Sequence, residues 1–170
     1  WPCGSMWAFV VRIDRIDYAL VEGGQRRALL SGLSQQFAPG RFACLTGPSG
    51  TGKTTILSLL AGVVRPDAGR VLDGETDIAA LAPLQRAAWR RATVGLVFQT
   101  CRLIDVLSVA EHMALVARLR GRPDATAAGH RLLAQLGLAG KLGQRPGQLS
   151  GGEKQRVALA QALAARPRVV

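Results

Sequence analysis

Residues 47–54 read Gly47-Pro48-Ser49-Gly50-Thr51-Gly52-Lys53-Thr54, and the fold turns on this stretch. Its spacing is G-x-x-x-x-G-K-[ST]: glycines let the chain wrap so that successive backbone N–H groups face inward toward phosphate oxygens, and a following helix adds its positive amino end. Lys53 would reach the outer phosphates as a point charge, and the Thr54 hydroxyl is placed for Mg2+. A chance match in a chain of this size has odds on the order of one in a hundred. The flanks strengthen it. Arg41-Phe42-Ala43-Cys44-Leu45-Thr46 reads as a buried strand entering the loop, and the chain from about Thr54 to Ala61 reads as a helix leaving it, the order a phosphate loop requires. No G-x-G-x-x-G spacing is present, which argues against a dinucleotide-binding fold.

Toward the amino end, Phe9, Val11 and Ile13, then Ile16, Tyr18 and Leu20, alternate with period two, and Ala28 to Leu33 with Phe37 continue the pattern. Turns are expected at Glu22-Gly23-Gly24 and Pro39-Gly40. Beyond the loop, Arg65-Pro66-Asp67-Ala68-Gly69 reads as a turn, Arg70 to Leu72 as a short strand and Asp73-Gly74 as another turn. Ile78 to Arg91 reads as a helix and Val94-Gly95-Leu96-Val97-Phe98 as a second buried strand. Residues 107–120 and 129–138 have helical spacing, interrupted at Gly121-Arg122-Pro123-Asp124. A last helix is expected from Ser150 to near Ala165, and Arg168-Val169-Val170 reads as the start of a third buried strand.

A second chemically informative stretch is Leu149-Ser150-Gly151-Gly152-Glu153-Lys154-Gln155-Arg156. Ser150 and Glu153 form an S-x-x-E capping box. Capping does not call for two glycines in the first helical turn, each of which costs about 1 kcal/mol of helix stability. Bare N–H groups at the positive end of a helix suit a second phosphate contact.

The chain has 170 residues, 48% of them hydrophobic and 19% charged, enough apolar material for the core of one domain and against intrinsic disorder. The charge is uneven. Residues 1–85 hold 8 basic and 7 acidic groups, whereas residues 86–170 hold 14 basic and 4 acidic ones. Such a surplus fits nucleic acid, anionic lipid, a basic docking face, or a missing acidic part. Cys3, Cys44 and Cys101 have no metal-ligand spacing and read as reduced thiols, with Cys44 a small core residue in its apolar run. No apolar stretch approaches the roughly 20 residues of a membrane span, the best being Ile56 to Val64. Residues 1–11 lack the features of a secretory leader, so a cytoplasmic location is expected. Met6 reads as the original start.

The phosphate loop, Gln99 following Val97-Phe98, and the LSGGEKQR string at Leu149 to Arg156, in that order, resemble the nucleotide-binding subunit of ATP-binding-cassette (ABC) transporters across residues 9–170. The resemblance implies an α/β P-loop fold with a parallel sheet core, an N-terminal antiparallel β subdomain and an inserted helical subdomain. Residues 9–99 would hold the β subdomain and phosphate-loop core, 100–150 the helical subdomain, and 150–170 the signature helix with the start of a further strand. Arg65-Pro66-Asp67-Ala68-Gly69 and Gln148-Leu149-Ser150 look most like the ATPases that pair with lipoprotein-releasing, macrolide-export or cell-division permeases.

By that resemblance the cofactors are ATP and Mg2+. Tyr18 would stack on adenine, and Gly47, Pro48, Ser49, Gly50, Thr51, Gly52, Lys53, Thr54 and Thr55 would hold the phosphates. Gln99 would contact Mg2+ and the attacking water. Ser150, Gly151 and Gly152 would contact the γ-phosphate bound to the opposite subunit, which implies a homodimer acting with a transmembrane permease, peripheral on the inner face of the membrane. The family's catalytic Asp-Glu pair is expected two or three residues beyond Val170, so this stretch alone is expected to bind ATP weakly and hydrolyse it negligibly. Gln161 stands where the family often has Arg. His112 and His130 are expected to be solvated surface residues, outside the position of the family's switch His. A soluble ABC-type ATPase acting on nucleic acid or ribosomes is the alternative reading, disfavoured because the helical insert has no room for a long coiled coil.

Overall fold

Period-two alternation over residues 11–37 produces a long antiparallel hairpin. Strand β1 (Val11–Glu22) pairs with β2 (Gln25–Phe37) around Gly23-Gly24, whose φ values of 58° and 79° supply the left-handed turn that glycine adopts without a Cβ penalty. The computed structural model describes residues 11–170; the readings made at Phe9, Cys3, Met6 and the rest of residues 1–10 lie outside the described residues.

The alternation changes phase between Ile13 and Ile16, both buried, and the backbone accommodates this with a bulge. Arg15 takes φ 50° and the register with β2 shifts there. On the other edge, β1 pairs with β3 (Ala68–Asp73), and β3 with the two-residue β4 (Thr76–Asp77), giving the order β2-β1-β3-β4. Gly69 lies against the bulge so closely that a Cβ there would stand 2.2 Å from the Arg15 carbonyl oxygen. Helix α1 (Lys53–Leu60) packs against β1. Ile13, Ile16, Leu59, Val71 and Ile78 form the most deeply buried apolar set of this part.

Helix α2 (Pro83–Thr93) begins five residues later than the expected Ile78. Pro83 disfavours a helical Ala82 but suits a first helical position, and the Gln85 side chain accepts the Ala82 N–H at 3.2 Å. The chain divides into two compact units within α2, the first ending at Ala88 and the second spanning Trp89–Val170.

The second unit is helical. Helix α3 (Val109–Arg120) is capped by Ser108 and Glu111 and ends at left-handed Gly121. Helix α4 (Asp124–Gln135) starts five residues before the expected 129 and ends three before 138, because Pro123 stands at the N-cap with Asp124 in the first turn, so that the helix follows the breaker directly. Two 3-10 turns, Ala139–Lys141 and Pro146–Gln148, lead to α5 (Gly151–Leu163). Val109, Met113, Leu133, Leu138, Val157 and Ala160 are among the residues of its buried core.

The segments read as buried parallel strands depart from expectation. Residues 41–46 are not a strand: Phe42 is 99% exposed and Cys44 is exposed rather than a core residue. From 94–98 and 168–170, among the described residues, only a single parallel bridge forms, Val94 to Val169, supported by the Gly95 N–H donating to the Val169 carbonyl at 2.7 Å. Val97, Phe98 and Val170 are exposed. A parallel strand takes its hydrogen bonds and burial from both neighbours, and among the described residues no strand pairs with 41–46.

Candidate functional site: a glycine-rich loop and a glycine-capped helix

In the first unit the loop at 47–54 is shaped by glycines in conformations that L side chains rarely adopt: Gly47 has φ 147°, Gly50 80° and Gly52 90°. Gly52 is the N-cap of α1 and supplies no side-chain cap, so the first-turn N–H groups have no capping side chain from it. Its Cα faces β2, and a Cβ there would stand 3.1 Å from Leu30 Cδ2 and 3.2 Å from Leu29 Cγ. The hairpin therefore backs the loop. Lys53 folds its ammonium over the loop, Nζ donating to the carbonyls of Gly47 at 2.9 Å and Pro48 at 2.6 Å. The Thr51 hydroxyl donates to the Pro48 carbonyl at 2.9 Å. Thr54 is exposed and Thr55 half-buried. A cation held at the mouth of an uncapped helix end, with glycines leaving the backbone bare, is chemistry suited to phosphate oxygens.

Tyr18 is half-buried in β1 opposite Leu30, the leucine whose partner across the sheet–loop contact is Gly52. Asp17 and Asp67, neither singled out from the sequence, bracket it. Asp17 Oδ1 accepts the Gly32 N–H at 2.7 Å, and Asp67 Oδ2 accepts the Ala19 N–H at 2.7 Å. Asp67 reads as part of a turn and of the 65–69 resemblance, and nothing local in the sequence ties it to a strand 48 positions away.

Gln99 and Ser150–Gly152 belong to the second unit. Gln99 is exposed, in a segment without regular structure where the Arg102 guanidinium lies 5.2 Å from the Phe98 ring centre. At the start of α5 the capping box forms in full: Ser150 Oγ accepts the Glu153 N–H at 3.3 Å and Glu153 Oε2 accepts the Ser150 N–H at 2.8 Å. That bond from the Ser150 N–H is the largest influence holding the Glu153 carboxyl below its ordinary range. The N–H groups of Gly151 and Gly152 lie ahead of the intrahelical ladder, which begins with Lys154 N–H to the Ser150 carbonyl at 2.9 Å. Both glycines are exposed, with open space where a Gly151 side chain would be.

His112 corrects a sequence expectation. It is 1% exposed and bonded through both ring nitrogens, Nε2 accepting the Ile104 N–H at 2.9 Å and Nδ1 lying 2.7 Å from the Ser108 carbonyl. An Nε2 that accepts leaves the proton on Nδ1, which donates to Ser108. The ring ties the segment after Gln99 to α3. His130 is also not a solvated residue: it is half-buried, with Nε2 enclosed. Among the described residues no helix is long and apolar enough to cross a membrane.

The sequence pattern of the family described as ABC transporter matches residues 30–170. The chain is 40% identical over 160 residues to an uncharacterised ABC transporter ATP-binding protein of Mycobacterium tuberculosis, covering 93% of this chain and 48% of that protein. It is 39% identical over 160 residues to the lipoprotein-releasing system ATP-binding protein LolD 1 of Rhodopirellula baltica, covering 93% of this chain and 70% of that one. The chain thus spans about half the length of the first of these relatives. Among solved structures, the dimeric bacterial ABC transporter cassette MJ0796 superposes with a TM-score of 0.84 at 27% identity, over 92% of this chain and 70% of that one. None of these matches supports the nucleic-acid reading. With a fold shared with that cassette, the glycine-rich loop and the LSGGEKQR string at a helix start, the chain belongs to the ABC transporter family.

Proposed function

We propose that this chain is the nucleotide-binding portion of an ABC transporter subunit of the lipoprotein-releasing type, which uses ATP to drive a membrane permease from the cytoplasmic face. The observation that carries the reading is Lys53, whose ammonium is held over the loop by the Gly47 and Pro48 carbonyls at the uncapped start of α1. Residues 47–55 bind the phosphates of ATP, and Lys53 exchanges its carbonyl partners for phosphate oxygens. Bound Mg2+ would neutralise charge on the β- and γ-phosphates, with the Thr54 hydroxyl as its contact from the loop. Tyr18 stacks on the base. Ser150, Gly151 and Gly152 offer a helix amino end to the nucleotide of a second copy, so that two subunits close on ATP. The 170 residues contain no adjacent Asp-Glu pair. On its own this chain therefore binds ATP weakly with negligible turnover, and hydrolysis belongs to the whole protein.

Titration of the chain with Mg2+-ATP, followed by NMR shifts, tests the loop assignment: Lys53→Ala should abolish the saturable change, and an unchanged affinity would overturn it. In the whole subunit, Gly151→Asp should abolish ATP-dependent dimerisation, by placing a carboxylate where the γ-phosphate would approach.

A further inference from the structure

The pairing of β1 with β3 ends at Asp17 opposite Ala68, and the pairing of β1 with β2 shifts register between Tyr18 and Ala19. Tyr18 thus sits where the sheet stops holding its strand from both sides. Asp67 takes over. Its backbone N–H donates to the Asp17 carbonyl at 2.9 Å, and its carboxylate Oδ2 accepts the Ala19 N–H at 2.7 Å. The residue before Tyr18 and the residue after it are both bonded to one amino acid, which closes a ring around the tyrosine backbone. The other oxygen, Oδ1, pairs with Arg26 of β2 at 2.7 Å, so the carboxylate is itself held in place. Asp17 Oδ1 completes the frame on the β2 side through the Gly32 N–H.

We propose that Asp67 is a positioning residue for base recognition: by replacing the missing ladder bond at Ala19 it sets the direction of Tyr18, and with it affinity for the adenine half of ATP but not for the phosphates. The proposal rests on the reading of Tyr18 as the base-stacking aromatic. Charge-assisted bonds from a carboxylate to backbone N–H groups are stronger than neutral ones, and the bond from Ala19 is the largest influence holding the Asp67 carboxyl below its ordinary range.

The test compares Mg2+-ATP with Mg2+-tripolyphosphate, which lacks a base, as NMR-monitored ligands of the 170-residue chain. Tyr18→Ala should lower ATP affinity by about tenfold, the scale of base–aromatic stacking, and leave tripolyphosphate unchanged. Asp67→Ala should lower ATP affinity by roughly threefold to tenfold, again without effect on tripolyphosphate. Asp67→Asn keeps an oxygen for the Ala19 N–H and should restore most of it, and Arg26→Ala should act weakly. Asp67→Ala added to Tyr18→Ala should cost nothing further. If Tyr18→Ala weakens ATP but Asp67→Ala does not, the positioning role is overturned while the Tyr18 reading stands. If Tyr18→Ala leaves ATP affinity unchanged, that reading and the proposal with it fall. Equal losses for ATP and tripolyphosphate in Asp67→Ala would also overturn it, because they report a damaged fold. Should Asp67→Ala not fold, failure of Asp67→Asn to bind ATP like the parent chain, in a folded protein, overturns it as well.

Discussion

Substituting Gly52 separates two effects that glycine serves in the phosphate loop. At φ 90° an alanine is strained by about 1–2 kcal/mol whatever surrounds it. At this position its Cβ would also meet Leu30 Cδ2 at 3.1 Å and Leu29 Cγ at 3.2 Å. Both are side-chain atoms that can give by a few tenths of an ångström, which puts the packing cost near the lower end of overpacking, about 1–2 kcal/mol. Gly50 is the internal control. Its φ of 80° imposes similar strain, but a Cβ there meets nothing within 4 Å. Gly50→Ala should therefore destabilise by about 1–2 kcal/mol and Gly52→Ala by about 2–4 kcal/mol. Gly52→Ala should also weaken Mg2+-ATP binding by more than tenfold, because it moves the first-turn N–H groups of α1. Urea unfolding monitored by hydrogen exchange of residues 47–60 gives the first quantity, and titration the second. The double mutant with Leu30→Ala should recover about 1 kcal/mol relative to additivity. A Gly50→Ala chain as unstable as Gly52→Ala, or a double mutant showing no coupling, would refute the view that β2 backs the loop.

Gly69→Ala is expected to be the most damaging glycine substitution of the hairpin region. The Cβ would collide with the Arg15 carbonyl oxygen at 2.2 Å, backbone that cannot rotate away, so a loss of more than about 3 kcal/mol is expected in urea unfolding; a loss under 1 kcal/mol would contradict the bulge geometry. His112→Phe removes the acceptor of the Ile104 N–H and should cost about 1–3 kcal/mol, with faster exchange at residues 103–107. Unchanged exchange there would show that the ring does not hold the segment. Acid should loosen the starts of α3 and α5. Glu111 and Glu153 are held below the ordinary value of 4.5, chiefly by the N–H groups of Ser108 and Ser150. Their contribution is present in full above pH 4.5 and is lost as pH falls through the lowered folded values. Hydrogen exchange at Gly151–Glu153, corrected for intrinsic rates, should show protection falling below pH 4.5 in the parent chain and independent of pH in Glu153→Gln. Equal pH dependence in both would remove the carboxylate from the cap.

What was legible in the sequence obeys local rules. The glycine spacing at 47–52, the Gly23-Gly24 hairpin turn and the Ser150–Glu153 box each act within a few residues, and each forms as its chemistry requires. The two period-two runs ending at Ile13 and starting at Ile16 were visible too, although only the backbone shows that Arg15 absorbs the change of phase between them. Apolar runs were less reliable. Phe42 and Cys44 have the pattern of a buried strand, but burial comes from neighbours, and among the described residues none pairs there.

Residue type at short spacing thus specifies the loop that suits phosphate, the capped helix start with its two glycines, and the family. Features that depend on partners far along the chain emerge with the fold. It buried His112 against Ile104 and Ser108 where a surface residue was expected, set Leu29 and Leu30 behind Gly52, and brought the Asp67 carboxylate to the strand of Tyr18. Hydrogen bonds and packing between distant segments exist only once the chain has closed on itself, and no local pattern of residue types encodes which carboxylate will meet which N–H.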